Sequence, residues 1–308
     1  MTEAEEAAAL WGGRILRPLR LRENEVYELD LGDRRAALRL HRQGYQSSAA
    51  IRSELWWCSQ LGRKGLPVAS PIDSRAGAAL ETLTTGRSAS VVTWVNGQAL
   101  GEAGVPLAGT LAEKLAQHRA LGALLARIHS ATDLLALPEW FQRPSWDRKG
   151  LVGEAPFWGR FWDHPNLNSA EHEVLIAARH WLDAMLRRSR SPLGLIHADV
   201  LRENVFVQTG GLALIDFDDS GFGYRWYDLG TVLSQDLYQP DYAQLRAALL
   251  QGYGQVLPVD GAEVDAFTLA RTLASVGWAA TRLPLDHPVH RSHIDRALMM
   301  SRRLLGLG

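Results

Sequence analysis

Cysteine is almost missing from this chain: Cys58 is the single one in 308 residues. No intramolecular disulfide and no multi-cysteine zinc site can therefore form. Cys58 itself lies in an apolar helical stretch, where it reads as a small buried hydrophobe. Lysine is scarce as well, with only Lys64, Lys114 and Lys149 among 33 Lys plus Arg. Neither sign of charge is in excess. The 34 Asp plus Glu leave a formal net charge of −1, which argues against a nucleic-acid partner held by bulk positive charge. No apolar run approaches the ~18 residues of a membrane span. The acidic start, MTEAEEAAAL, lacks the basic beginning and apolar core of a secretory signal. These absences predict a cytosolic protein with neither a nucleic-acid nor a membrane partner, and they leave oligomeric state open. What is present is ordinary for a globular protein: 46% apolar and 22% charged residues, enough to fill a core. The length suits two lobes of roughly 150 residues each.

Residues 1–95 read as a small β-rich lobe. Val26–Leu31 and Arg35–Leu40 flank Gly32-Asp33, a hairpin signal. From Ser47 to Leu61 the apolar spacing turns helical, through Ile51, Leu55, Cys58 and Leu61, with Ser47 or Ser48 as cap. Pro67 and Pro71 forbid its continuation. A second hairpin, Ala79–Thr84 and Ser88–Trp94, turns at Thr85-Gly86, and Asn96-Gly97 marks a candidate hinge. Residues 96–308 read as a mainly helical lobe, with helices predicted over Leu107–Ala131, Ser169–Arg188, Tyr227–Gln235, Tyr242–Gly252, Glu263–Ala280 and Arg291–Leu305. Within it Pro138–Asn168, rich in Pro, Gly and aromatics, reads as an excursion with little regular structure. The fold class is α+β: a small antiparallel-β lobe with one helix, and a larger helical lobe.

One stretch, Gly194 to Asp219, breaks the helical pattern. Two short β-type runs, Val205–Val207 and Leu212–Ile215, flank the turn Thr209-Gly210-Gly211, and polar residues sit at the strand ends. Side chains placed there reach a cleft from a rigid support. Phosphoryl transfer needs a carboxylate to orient a hydroxyl and take its proton, and hard oxygen ligands for magnesium. His197-Ala198-Asp199, then Asn204, then Asp216-Phe217-Asp218 supply that set in the order H-x-D-x-x-x-x-N … D-F-x of kinase active sites.

The stretch Leu195–Asp219 resembles the catalytic core of the aminoglycoside phosphotransferase and choline kinase superfamily, which also holds type-II homoserine kinases and bacterial stress-response protein kinases. The resemblance implies a bilobal protein-kinase-like fold using ATP and Mg2+. It implies Asp199 as catalytic base, Asn204 and Asp216 as magnesium ligands, and His197 as organiser of the loop. Asp228, in Tyr227-Asp228-Leu229-Gly230, is similar to a downstream aspartate that braces that loop. The helix Leu121–His129 resembles the one preceding the substrate region. Where the family has a strand lysine, this chain has Arg39, with Glu54 as its expected helix partner; arginine binds phosphate as a fork, so the exchange is not conservative. Glu23-Asn24-Glu25-Val26-Tyr27 resembles the phosphate-covering loop but has no G-x-G-x-x-G, and adenine is expected against backbone groups near Thr93, Trp94 and Val95.

The acceptor stays open at this level. Trp140, Phe141, Trp146, Phe157, Trp158, Phe161 and Trp162 suit either a cationic acceptor or packing against neighbouring helices. Asp218 and Asp219 suit an amine or a second magnesium, and Arg202 the transferring phosphate, or each a structural role. A small-molecule kinase for an amino alcohol, homoserine, choline or an aminoglycoside-like hydroxyl is the leading reading. A bacterial stress-type protein Ser/Thr kinase, with a protein substrate, is the alternative. A nucleotide-binding regulator with little turnover is a third, motivated by Arg39.

Overall fold

In the computed structural model, which describes residues 2–21 and 24–307, the first stretch holds α1 (Glu3–Trp11), β1 (Arg14–Leu21), β2 (Glu25–Asp30), β3 (Arg35–Leu40), α2 (Ser48–Arg63), β4 (Pro71–Ile72), β5 (Glu81–Thr82), β6 (Ser88–Thr93) and β7 (Gln98–Ala99). Then come α3 (Leu111–Asp133), β8 (Ser145–Trp146), α4 (Arg148–Val152), α5 (Ser169–Leu186), β9 (Leu193–Ile196), β10 (Val205–Gln208), β11 (Gly211–Leu214) and β12 (Gly221–Tyr224). The chain ends on α6 (Trp226–Asp236), α7 (Tyr242–Gly254), α8 (Gly261–Arg282) and α9 (Val289–Leu305). None of the described helices is long and apolar enough to cross a membrane.

The chain packs as two compact units. The first runs to Gln98 and takes in Leu134–Arg143 and Phe206–Asp218; the second comprises Ala99–Asp133, Pro144–Val205 and the chain from Asp219 onward. Unlike a single cut after residue 95, this division is discontinuous in sequence, and it splits the 138–168 excursion between the units.

In the first unit the strand order is β1-β2-β3-β6-β4, with β5 also on β6, and the pairings that carry the site are antiparallel. Period-two alternation sends Ala36, Leu38 and Leu40 of β3 to one face, where they meet Leu29, Ala89 and Val91. That face is covered by α1 through Ala4, Ala7, Ala8 and Trp11. α1 and β1 are elements the sequence reading did not place. Yet α1 carries a start signal: the Thr2 hydroxyl accepts the Glu5 N–H at 3.2 Å and Glu5 accepts the Thr2 N–H at 2.8 Å, a capping box. The opposite face belongs to α2, whose Ile51 and Leu55 pack with Leu80 and Val92. Ser47 caps α2, accepting the Ala50 N–H at 3.1 Å. Arg39, between Leu38 and Leu40, therefore faces α2.

In the second unit α3 lies on α7 with almost no side-chain spacing. A Cβ on Gly122 would sit 2.1 Å from the Leu249 carbonyl, and one on Gly252 would sit 1.9 Å from that of Arg119. Glycine at both positions lets the backbones touch, and this brings His129 of α3 beside Tyr253 of α7. A three-stranded sheet, β8-β12-β9, ends β9 at Ile196 and delivers the next residues to the site. The aromatic excursion settles mostly as packing. Trp146, Trp158, Phe161 and Trp162 are buried, and the Trp146 ring stacks on Tyr227 with centroids 5.5 Å apart.

Candidate active site

Immediately after β9 the chain turns at Ala198, whose φ of 66° is a left-handed conformation that an alanine adopts at a cost of about 1–2 kcal/mol. Asp228, in the first turn of α6, holds it there. Its Oδ1 accepts the Ala198 N–H at 2.7 Å, while its Oδ2 accepts the His197 N–H at 2.9 Å and lies 3.0 Å from His129 Nε2. His129 Nδ1 is in turn 3.0 Å from the Tyr253 hydroxyl. Asp228 is 1% exposed and His129 is fully covered, so neither is shielded by water and each bond is correspondingly strong. The turn leaves Asp199 partly accessible. Asn204 donates through Nδ2 to the Asp199 carbonyl at 2.9 Å and to its Oδ2 at 3.1 Å, and His197 Nδ1 accepts the Asp199 N–H at 3.3 Å. His197, Asp199, Asn204 and Asp228 are thus one hydrogen-bonded group within the second unit.

A residue that sequence reasoning missed completes this group. Arg271, in the middle of α8 and buried, donates from Nη2 to Asp199 Oδ1 at 2.7 Å. Its position inside an apolar helical stripe was the available signal, since a buried arginine needs a partner. Arg202, by contrast, is a structural residue. Its guanidinium is buried against Asp236 at 2.6 Å and the Val105 carbonyl at 2.8 Å.

The first unit holds the remaining candidates. Arg39 Nη1 meets Glu54 Oε1 at 2.9 Å, and Nη2 meets Asp216 Oδ1 at 3.1 Å. One planar fork therefore spans two carboxylates. Burial works against the Arg39 charge, but Glu54, Asp216 and Asp218 outweigh it and push its pKa upward. Burial raises the pKa of Glu54, with Arg39 opposing. Arg20 lies 3.6 Å from Asp216 Oδ2. Asp216 has φ 63°, so this chain carries a left-handed non-glycine residue in each of its two motifs, a form of strain that collects at functional sites.

Several softer expectations have definite positions. Glu23 lies outside the described residues. Its neighbour Asn24 donates to Asp218 Oδ2 at 3.0 Å and accepts the Arg42 N–H at 2.8 Å, while Glu25 accepts from Tyr27 and Arg87, both at 2.6 Å. The Thr93 N–H is taken by the Ser70 carbonyl at 2.8 Å. Trp94 carries the Arg35 guanidinium 4.1 Å above its ring, and Val95 follows just beyond β6. Asp219 accepts the Trp146 indole N–H on its carbonyl at 2.8 Å.

The donor chemistry suits magnesium and phosphate. With its nitrogen committed to Asp199, Asn204 has its amide oxygen as the end available to a hard cation, and Asp216 offers carboxylate oxygens that are partly exposed. Among the described residues no three His, Cys, Asp or Glu side chains gather into a cage. Magnesium needs none, because it is typically held by one or two protein oxygens together with phosphates and water.

A family model described as the phosphotransferase enzyme family matches residues 15–267, most of the chain. The chain belongs to this family. Among curated relatives, a homoserine kinase of Methylobacterium radiotolerans is 29% identical over 237 residues, covering 72% of this chain and 65% of that protein. A homoserine kinase of Bartonella tribocorum is 27% identical over 229 residues, covering 72% and 66%. The matches thus span just under two thirds of these relatives' lengths. Among solved structures, a microcompartment-associated aminopropanol kinase superposes with a TM-score of 0.83 at 26% identity, covering 98% of this chain and 97% of that one. Amicoumacin kinase hAmiN, solved with AMP-PNP, Ca2+ and Ami, gives 0.76 at 21% identity over 97% and 92%, a likeness of fold. The fold of the family member described here is α+β and protein-kinase-like.

Proposed function

We propose that this chain is an ATP-dependent kinase that phosphorylates the hydroxyl of a small molecule, an amino alcohol or a hydroxy amino acid. The observation that carries this reading is the Asp199 carboxylate, held on a left-handed turn by Asp228 and bonded by Asn204. On this reading Asp199 orients the acceptor hydroxyl and receives its proton. The acceptor oxygen forms a bond to the γ-phosphorus as the bond to the β,γ-bridging oxygen breaks, and ADP leaves with that electron pair. Asn204 and Asp216 would supply oxygen ligands to magnesium, which would neutralise phosphate charge. Arg39, held by Glu54, is the residue that would bind the ATP phosphates. His197 and Asp228 are positioning residues. Backbone near Thr93, Trp94 and Val95 takes the adenine, with the Thr93 N–H already engaged. Residues 1–95 supply most of the nucleotide side and residues 96–308 the acceptor side, in a cytosolic enzyme.

The activities that name the relatives, homoserine kinase and aminopropanol kinase, favour a small acceptor over a protein one. The test is ADP release with magnesium and ATP across a panel of small hydroxyl compounds, for wild type and Asp199→Asn. Wild type is expected to turn over at least one compound. A positioned base is worth ~10²–10⁴ in rate, so Asp199→Asn should lose turnover by that factor while binding ATP normally in calorimetry. Full turnover by a folded Asp199→Asn protein refutes the assignment.

A further inference from the structure

Arg271 does more than meet Asp199. Its guanidinium carbon lies 4.5 Å from the ring centroid of Trp158. Arg271 is 5% exposed and Trp158 is 4% exposed, and the Nε of the one and the indole Nε1 of the other have no hydrogen-bond partner among the described residues. Two buried donors beside a candidate base are thus left unused, an arrangement that proteins avoid unless something fills it. A second cation is close enough to be felt. Burial and the Arg271 charge both lower the pKa of Arg296 on α9, whose hydrogen bond goes to the His293 imidazole and not to a carboxylate. Burial, Arg296 and Arg271 in turn hold His293 down near a pKa of about 3, so it is neutral at pH 7 and leaves the charge of Arg296 unaltered. Arg282 approaches the same Trp158 ring at 5.6 Å. Besides its bond to Asp199, Arg271 thus has two further arginines in its neighbourhood, Arg282 at the Trp158 ring and Arg296.

On the phosphotransfer reading, and dependent on it, we propose that the acceptor carries a carboxylate that binds Arg271 and Trp158 with Arg296 behind them, making it a hydroxy amino acid and not a simple amino alcohol. Arg271 keeps Nη2 on Asp199 and offers Nε to the carboxylate, so a single planar fork sets the distance between the anionic end of the acceptor and the base. The two activities that name the relatives differ chemically in just this group. An aminopropanol is what remains when a four-carbon hydroxy amino acid loses its carboxylate.

Matched pairs test it: L-homoserine against 3-aminopropanol, L-threonine against 1-amino-2-propanol, and L-serine against ethanolamine. Two measurements are made with the full chain, magnesium and ATP: kcat/KM for ADP release, and thermal stabilisation in the presence of a non-hydrolysable ATP analogue. Wild type should prefer the carboxylate member of at least one pair by about 100-fold, because a site built around a charged partner rejects the analogue that lacks it. Trp158→Phe and Arg296→Gln, each confirmed as folded by circular dichroism, should each shrink that ratio by about 10-fold or more, mainly through KM. Preference for the decarboxylated members overturns the proposal, as does an unchanged ratio in both variants. If no compound is turned over, the phosphotransfer reading fails for these acceptors, and stabilisation decides the carboxylate site separately. Stabilisation by the carboxylate members supports it. Stabilisation by none, by the amino alcohols, or by inorganic phosphate alone sinks it.

Discussion

Replacing Asp228 by asparagine changes one buried oxygen to an amino group and nothing in shape. Three groups converge on that carboxylate: the His197 and Ala198 N–H groups and His129 Nε2. The single amide oxygen of the substituted side chain can serve Ala198 or His197, but not both in the present geometry, because they use different oxygens. His129 can adapt, since its other nitrogen faces a hydroxyl that both donates and accepts. One backbone N–H is then stranded in the core. That costs about 1–3 kcal/mol, and the remaining bonds lose charge assistance, roughly half their strength. We expect about 3 kcal/mol of lost stability. With a urea dependence of roughly 3 kcal/mol per molar, this lowers the midpoint by about 1 M. The activity effect should be larger than the stability effect implies. Ala198 remains left-handed only while both N–H groups are held, and a misplacement of ~1 Å at Asp199 is worth about 10²-fold in rate. The assay is urea unfolding followed by fluorescence, beside ADP release well below the midpoint. A midpoint within ~0.2 M of wild type refutes the bonding argument. A lowered midpoint with unchanged kcat leaves Asp228 as a packing residue and refutes its role in holding the base.

Asp216→Ala should weaken binding of MgATP far more than of metal-free ATP in calorimetry, and Asn204→Ala should do so less, because an amide supplies a ligand atom without charge. Equal MgATP affinity for wild type and Asp216→Ala rules out a metal role. Arg39→Ala should raise KM for ATP strongly, with Arg39→Lys milder, and combining Arg39→Ala with Glu54→Gln should fall short of additivity by about 0.5–3 kcal/mol, as for residues in contact; additive effects in steady-state kinetics contradict the pairing. Acid should destabilise the fold through His293. Its folded pKa of about 3 lies below the ordinary 6.5, so between those values the unfolded chain binds a proton that the folded one does not. Stability is therefore lost as pH falls from about 6.5 toward 3, at up to ~1.4 kcal/mol per pH unit. Melting temperatures of His293→Gln should fall less steeply than those of wild type between about pH 7 and pH 5, and parallel slopes contradict this.

Much of the chemistry was legible in linear order because it is local. His197, Asp199 and Asn204 lie within one loop, and Asp216 follows a single hairpin later, so motif spacing marks them as candidates. The β2–β3 hairpin and α2, with its Ser47 cap, were equally legible, since turn chemistry and apolar period act over a few residues. Arg39 and Glu54 were expected as a pair only from the family resemblance, and the structure brings them to 2.9 Å. Other features depend on contacts between residues far apart in the chain. α1 is mostly alanine and glutamate, and its docking on the sheet, not an apolar stripe, makes it an element of the core. The bond of Asp228 to His129 spans 99 positions and that of Arg271 to Asp199 spans 72. No local pattern encodes such a pairing; it arises where packed helices such as α3 on α7 bring the side chains together. The aromatic excursion was open between acceptor site and core for the same reason. A tryptophan satisfies either role, and only the tertiary fold buries Trp146, Trp158 and Trp162.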